Sequence, residues 1–310
     1  MNRSEILFLY DIAWANPNGD PIDENKPRFD QETGTNIVTD VRLKRTIRDY
    51  LKEFKNKEIF IREITLADDT IQDAKRRAED FLKDENGIKI KVDPKEKKAI
   101  ILDNILKECI DIRLFGGTLP LDKDSITFTG PVQFAMGTSL HKVKIEYMKG
   151  TGAFASKEGT KQKTFREEFV LPYSLISFYG IVNENAAKHT KLTEEDVDLL
   201  MEGIWNGTKN LISRSKAGQM PRFLMKINYK ESNYHLGSLN KLLKLNSELP
   251  DTAIRTMDDY SLNFERLTSL LEKNIDKIES IEYCMDDNLK IEPNFFENFK
   301  DKILLKKLEY

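Results

Sequence analysis

At 310 residues, with 39% hydrophobic and 33% charged residues, the chain is long enough to bury a core as one elaborated domain. It has no apolar run long enough to cross a membrane, and its two cysteines, Cys109 and Cys284, lie too far apart to form a ligand motif. These features argue against a membrane-spanning protein and predict a reduced, cytoplasmic one without a metal or cofactor.

The distribution of charge is more informative than its sum. A formal net charge of −3 argues mildly against nucleic-acid binding, because phosphates are neutralised by lysine and arginine. However, residues 205–226 carry five basic residues and no acidic one, and residues 142–166 carry seven basic residues against two acidic. Residues 231–310 carry 16 acidic against 11 basic residues. This segregation predicts a basic working surface and an acidic, solvated face elsewhere.

The first predicted elements are a strand, a loop and a helix. The apolar segment 4–12 predicts a central strand, and segment 16–21 is a turn-rich loop of Asn, Pro, Gly and Asp. Thr39 or Asp40 is a suitable cap for the helix that follows. The residues expected on the buried arc of this helix are Leu43, Ile47, Tyr50 and Leu51. The cations expected on the neighbouring, solvent-facing arc are Arg42, Lys44, Arg45 and Arg48.

Residues 55–110 are rich in lysine and glutamate and predict a helical insertion between elements of the core, with helices at 71–82 and 99–109. Gly116 and Gly117 then permit a helix end and a sharp turn. Two strand segments, 125–129 and 131–140, are expected after this turn.

A basic hairpin is predicted over residues 149–183, with a returning strand that runs to Gly180. Thr193 opens a helix with a capping-box pattern, and a loop at 213–222 leads into a strand at 223–229. This order fits an α+β sheet domain of ferredoxin or RNA-recognition type with insertions. The charged residues from 258 onward form an acidic tail whose short elements the pattern does not order.

Motifs for catalysis and metal binding are weak. Asn16, Asn18 and Asp20 imitate the start of a calcium loop, but Pro21 and Pro27 occupy positions that need glycine and glutamate. The histidines, His141, His189 and His235, are scattered and show no ligand spacing. The acidic cluster of Asp20, Asp23 and Glu24 is a less favoured candidate for phosphodiester cleavage, because it lacks a histidine or second ligand group.

Three basic elements favour RNA as the partner. They combine cations with hydroxyl, amide and glycine groups, a mixture suited to a sugar-phosphate backbone. The first helix contributes the four cations named above. The hairpin contributes Lys157, Lys161 and Lys163, and the loop contributes Arg214, Ser215, Lys216, Gln219 and Arg222.

The ordered motifs resemble a known family. Segments 11–20 and 39–49, with Arg28, Gly34 and Asn36 between them, resemble the N-terminal signature of the Cas-seven superfamily, subtype I-B. This family provides the backbone subunits of type I CRISPR surveillance complexes. Segments 111–116, 130–133 and 218–222 continue the match, which spans roughly residues 4–230, and Gln133 joins the candidate RNA contacts from these motifs.

The resemblance implies a modified RNA-recognition (ferredoxin-like) palm with a helical fingers insertion and a β-hairpin thumb. The implied palm comprises residues 1–54, 113–148 and 176–310, the fingers 55–112 and the thumb 149–175. It also implies a non-catalytic subunit of Cascade that polymerises along CRISPR RNA as a homo-oligomer and contacts other Cascade subunits. The guide it holds would pair with target DNA in antiviral defence.

Two alternatives remain open. Type III relatives cleave target RNA with an aspartate in a comparable loop, so a metal-dependent endonuclease that uses Asp20 or Asp23 is the second hypothesis. The third is a structural oligomer whose basic patches contact the acidic face of a neighbouring subunit, which segment 231–310 would supply.

Overall fold

The computed structural model describes residues 1–121, 124–155, 163–211, 213 and 215–310. Within these residues no helix is long and apolar enough to cross a membrane. The helices are α1 (Asp40–Lys55), α2 (Ala74–Glu79), α3 (Pro94–Glu108), α4 (Ile110–Phe115), α5 (Glu184–Thr190), α6 (Glu194–Lys209) and α7 (Glu265–Lys273). The strands are β1 (Ser4–Ala15), β2 (Gly19–Asp20), β3 (Lys26–Pro27), β4 (Phe29–Asp30), β5 (Thr35–Val38), β6 (Gly116–Leu121), β7 (Asp124–Thr129), β8 (Val132–Phe134), β9 (Gly137–Ser139), β10 (Glu146–Ala155), β11 (Lys163–Val182), β12 (Met220–Tyr229), β13 (Lys244–Asn246), β14 (Ser261–Asn263), β15 (Ile278–Met285), β16 (Ile291–Glu292) and β17 (Leu304–Lys307).

The strand β1 lies at the centre of the main sheet. It pairs antiparallel with β11 on one edge and with β12 on the other, so that Ser4 lies opposite both Val182 and Asn228. Beyond β12 come β15 and then β17, and beyond β11 come β8, β9 and β10. In chain order β1, α1, β8 with β9, β11, α6 and β12 trace a strand–helix–strand–strand–helix–strand path through one sheet. The mixed α+β class predicted from the sequence is therefore confirmed.

Both faces of β1 are buried. Ile6, Phe8 and Ile12 face a core shared with α1 and α6, whereas Leu7 and Leu9 face a second core shared with the C-terminal elements. A strand covered on both faces has no polar alternation, which explains the unbroken apolar run in the sequence. Since each such side chain stabilises the fold by about 1.5–3 kcal/mol when fully buried, this strand contributes heavily to stability.

The helix α1 begins where the sequence predicts it and packs closely on α6. Thr39 caps it by accepting a hydrogen bond from the Arg42 N–H, and its expected apolar arc is buried. At Gly207 of α6 an added Cβ would lie 3.1 Å from Tyr50 Cβ, so this close approach of the two helices favours glycine. The capping box predicted at Thr193 is also present, with Asp196 as its second member.

Residues 55–121 form an insertion with its own small core. The buried residues of this core include Phe60, Phe81, Ile101 and Ile105. Its helices differ from the predicted bounds. The helix α2 spans only 74–79 and begins after its cap, Asp73, whose side chain accepts a hydrogen bond from the Arg76 N–H. The helix α3 begins at Pro94, five positions earlier than expected. Proline is favoured in the first turn of a helix, where its missing N–H costs nothing.

Residues 231–310, whose short elements the sequence pattern does not order, contribute strands to the main sheet. Within this region β15 pairs antiparallel with β12, and β17 pairs in parallel with β15, so the segment completes the main sheet. Its apolar side chains, including Phe264, Phe295 and Phe299, form the core on the second face of β1. Most acidic residues of this region are exposed, and they alternate in the sequence with the buried apolar positions, which makes the apolar pattern difficult to recognise.

One buried carboxylate attaches the insertion to the first helix. Asp111 is fully buried and accepts from the backbone N–H groups of Phe60 at 2.8 Å and Ile61 at 3.0 Å. It also accepts from Arg48 Nε at 3.0 Å, which joins α4 to α1.

We therefore expect Asp111→Ala to lower the free energy of unfolding by about 3 kcal/mol, because it leaves the largely buried Arg48 guanidinium, the buried Phe60 N–H and the partly buried Ile61 N–H without this acceptor. Urea denaturation measures this change, and hydrogen exchange should accelerate at the Phe60 and Ile61 amides. Asp103→Ala, which removes an exposed ion pair with Lys191, is the control and should cost less than about 1 kcal/mol. Equal losses in the two variants would contradict the anchoring role of Asp111.

Candidate nucleic-acid interface

Lys44, one of the four predicted α1 cations, is turned into the protein. It is 9% exposed, and its Nζ donates to Asp40 Oδ2 at 3.1 Å and to Gln133 Oε1 at 3.2 Å. The amide nitrogen of Gln133 in turn donates to the Gly130 carbonyl at 2.9 Å. The side chains of Lys44 and Gln133 are therefore hydrogen-bonded to each other, and Lys44 is not the free surface cation that the helical pattern predicts.

Arg48 is likewise engaged within the fold. Besides its ion pair with Asp111, its guanidinium carbon lies 5.1 Å from the centroid of the Phe115 ring. The expectation of four free cations on one helix face is thus wrong for Arg48 as well as for Lys44. The reason is that α4 and the segment around β8 cover this part of α1, which a helical wheel drawn from the sequence does not reveal.

The other two cations of α1 differ from these. Arg45 has a side chain 60% exposed and donates from Nε to both carboxylate oxygens of Asp49, at 2.7 and 2.9 Å. Arg42 is partly buried and donates from Nη2 to Thr46 Oγ1 at 3.2 Å, with no carboxylate in ion-pair contact among the described residues. Burial lowers the pKa of the Arg42 guanidinium, because the charged form loses hydration.

The loop before β12 packs against the end of β1. The Asn16 N–H donates to the Ser215 carbonyl at 2.8 Å, which fixes this loop beside the first one. Lys216 is partly buried, and its Nζ lies 3.4 Å from Ser215 Oγ. Gln219 is 5% exposed, and its Nε2 is buried without a hydrogen-bond acceptor among the described residues.

Lys216 and Arg42 lie close enough to repel each other. Burial lowers the pKa of the Lys216 ammonium, and the charge of Arg42 lowers it further. Asp49 interacts favourably with Arg42 but not as an ion pair, and among the described residues neither cation has a carboxylate in ion-pair contact. A bound anion would relieve both the repulsion and the lost hydration. We refer to Trp14, Asn16, Arg42, Ser215 and Lys216 as the edge cluster.

Arg222 has a structural partner on each side. Its Nε donates to Asp11 Oδ2 at 2.9 Å and its Nη1 donates to Asp286 Oδ2 at 2.5 Å. The hydroxyl of Tyr173 also donates to Asp11 Oδ2, at 2.8 Å. Arg222 therefore connects β12 to β1 and to the turn after β15, and a contact from it to RNA stays a prediction.

Four of the predicted contacts fall on residues or side chains outside the described part of the chain. Lys157, Lys161 and Arg214, together with the side chain of Lys163, lie outside the described residues. The base of the predicted hairpin is present as the antiparallel pair of β10 and β11, in which Ala155 lies opposite Lys163.

The acidic loop after β1 contains internal ion pairs. Asp20 Oδ2 accepts from Arg28 Nη1 at 3.0 Å, and Asp23 Oδ1 accepts from Lys26 Nζ at 2.7 Å. Both carboxylates line a surface cavity with Arg28 and Lys26. In the part of the chain that is described, no group of three or more His, Cys, Asp or Glu side chains is arranged to hold a metal ion.

Two members of the edge cluster were missed by the sequence reasoning. Trp14 is 56% exposed and Asn16 is 2% exposed with an unpaired Oδ1 among the described residues. The available signal was a large aromatic residue placed directly before a turn-rich loop. The sequence could not supply the hydrogen bond that brings residue 215 beside residue 16.

Comparisons with known proteins agree with one another. A family model for "CRISPR-associated protein Cas7" matches residues 2–265. A relative of that same name from Haloferax volcanii is 33% identical over 312 residues, which span 94% of this chain and 89% of the relative. Two solved chains, titled "CRISPR RNA-guided surveillance complex, pre-nicking" and "CRISPR RNA-guided surveillance complex", match with TM-scores of 0.58 and 0.56. They cover all of this chain and 96% and 95% of their own, at 13% and 12% identity, so this likeness concerns the fold alone.

We expect Arg222→Met to lower the free energy of unfolding by about 3 kcal/mol, because it leaves the buried carboxylate of Asp11 and the partly buried carboxylate of Asp286 without their guanidinium partner. Arg45→Met removes an exposed pair and serves as the matched control, with an expected loss below about 1 kcal/mol. Urea denaturation of both variants measures the difference. If Arg222→Met were as stable as the control, the ion-pair network would not support the sheet as described.

Proposed function

Because the chain belongs to the CRISPR-associated Cas7 family, we propose that it is the RNA-binding backbone subunit of a type I Cascade surveillance complex. In this role it polymerises along CRISPR RNA and presents the guide for pairing with target DNA in antiviral defence. Its partners are the guide, further copies of itself, other Cascade subunits and, through base pairing, target DNA. Base pairing supplies the sequence specificity, and the protein supplies contacts to the RNA backbone.

The observation that carries this proposal is the pair of cations in the edge cluster. Arg42 and Lys216 come from elements far apart in sequence, lie partly buried, and have no carboxylate in ion-pair contact among the described residues. The other paired cations of this surface hold the fold together, whereas burial lowers the pKa of both of these groups, and the charge of Arg42 lowers the pKa of Lys216 further. A phosphate supplies the negative charge that both groups lack.

We assign the described elements to the palm, fingers and thumb that the family resemblance implies. The strand–helix–strand–strand–helix–strand path corresponds to the connectivity of a ferredoxin-like palm, 1–54, 113–148 and 176–310. Residues 55–112, which contribute most of the separate core of the insertion, are the proposed fingers, and the β10–β11 pair leads into the proposed thumb, 149–175.

A non-catalytic role is part of the proposal. The ion pairs of Asp20 with Arg28 and of Asp23 with Lys26 reduce the negative charge that a divalent cation would need. Incubation of the assembled complex with complementary RNA and magnesium tests this point. Cleavage that is lost in Asp20→Asn would overturn the non-catalytic assignment and leave the RNA-binding assignment intact.

We expect Arg42→Met and Lys216→Met each to weaken binding of single-stranded RNA and to reduce the slope of log affinity against log salt by about 0.7, because each removes one phosphate contact. Neither change should destabilise the protein, since each removes a desolvated charge, and Lys216→Met should raise the melting temperature slightly. Fluorescence anisotropy at several salt concentrations measures the slope.

Lys273→Met is the matched control for these two variants, since Lys273 is exposed on α7, away from the edge cluster. It should bind RNA with the affinity and the salt slope of the unmodified protein. Unchanged affinity and salt slope in both Arg42→Met and Lys216→Met would remove the edge cluster from the RNA interface.

We also expect expression with a CRISPR repeat–spacer transcript to yield large particles that contain RNA. Size-exclusion chromatography and the ratio of absorbance at 260 and 280 nm detect them, and expression without the transcript is the control. Ribonuclease or high salt should shrink the particles, because the RNA phosphates hold the copies together. Particles of the same size without RNA would instead support the structural-oligomer hypothesis.

A further inference from the structure

Trp14 is exposed at the end of a strand that is otherwise buried. Residues 4–12 of β1 are buried, whereas Ala13 and Trp14 both face solvent, and Trp14 is 56% exposed. Exposing an indole of this size gives up a large hydrophobic gain. The described residues form no ring-stacking or cation–π contact with it. The face of the ring is thus available to another molecule.

The backbone at Trp14 holds this exposed position. Its φ is 49°, in the left-handed region, which is uncommon for any residue with a side chain and costs on the order of 1 kcal/mol or more. The ladder pairs Ala13 with Tyr173 and Ala15 with Leu171, so Pro172, which lacks an N–H, faces Trp14. The regular extended backbone of the strand is therefore interrupted at this residue, which is the point where its burial also ends.

The position of Trp14 relative to the cations suggests what covers it. Asn16, whose N–H donates to the Ser215 carbonyl at 2.8 Å, is two residues away, a Cα separation of at most about 7 Å. Lys216 follows Ser215 directly and interacts electrostatically with Arg42. An exposed aromatic residue two positions from a strand end that is hydrogen-bonded to the Lys216 loop is well suited to single-stranded nucleic acid, since the charged backbone and flat bases of such a strand lie within one nucleotide of each other.

We propose that Trp14 stacks on a nucleobase of the RNA strand whose phosphate is held by Arg42 and Lys216. This inference rests on the proposed function and adds to it a contact with a base. Stacking is tolerant of base identity because every base has an aromatic face, so the contact strengthens binding without selecting a sequence. A stack of this kind is worth about ten-fold in affinity for a short oligonucleotide.

The two tryptophans of the chain permit a direct spectroscopic test. Trp205 on α6 is 7% exposed, and Trp205→Phe leaves Trp14 as the single tryptophan, which can be excited selectively at wavelengths where tyrosine absorbs little. The variant is used provided that its melting temperature and RNA affinity match those of the unmodified chain. Short oligoadenylate and oligouridylate are titrated into the full-length protein. Stacking should quench Trp14 emission with both oligonucleotides, along the same curve as binding measured by anisotropy.

The affinity of three variants separates stacking from charge. Trp14→Ala should weaken binding of both oligonucleotides about ten-fold with an unchanged salt slope, and Trp14→Phe should retain most of the affinity, because it keeps an aromatic face. Lys216→Met should instead reduce the salt slope.

The outcomes distinguish this inference from the function it rests on. If the unmodified protein does not bind RNA, the proposed function fails. If it binds with the expected salt slope while Trp14 is not quenched and Trp14→Ala binds equally well, only the stacking inference is overturned. A change of Trp14 emission that follows protein concentration in the absence of RNA would assign the indole to an interface between copies of the chain and would also overturn it.

Discussion

The fold depends on the burial of one strand from every side. The backbone groups of β1 are satisfied by β11 and β12, one face supports α1 and α6, and the other supports the C-terminal elements. Both layers pack directly on this strand, so displacement of β1 would disturb both cores together. The strand meets solvent where it ends, and the loops that gather there bring the edge cluster together.

The basic side chains of this region fall into two groups, and residue type alone does not tell them apart. Arg48 and Arg222 are paired with buried carboxylates and hold segments of the chain in place. Arg42 and Lys216 lie in similarly desolvated surroundings, but without a carboxylate in ion-pair contact within the described part of the chain. Burial without a counter-ion is unfavourable for the free protein, and a ligand that supplies the missing charge binds more tightly as a result.

The parts of the structure that follow from local chemistry were predictable. The caps at Thr39 and Thr193, and the apolar arc of α1, place two helices on the sheet. The partners of Arg48 and Arg222 could not be read in this way, because Asp111 and Asp286 lie 63 and 64 residues away. The strands β15 and β17 were hidden for the same reason: parallel and long-range pairing leaves no local pattern, and charged residues surround their apolar positions.

The late position of β15 in the chain affects how the protein is made. During synthesis β1 and β12 emerge from the ribosome before Ile278–Met285 is translated, so the outer edge of β12 has no strand to pair with, and one face of the sheet has no cover. Unpaired edges and exposed apolar faces promote aggregation, and contacts between distant segments form slowly. Until Ile278–Met285 pairs with β12, this unpaired edge and uncovered face therefore favour aggregation of the nascent chain.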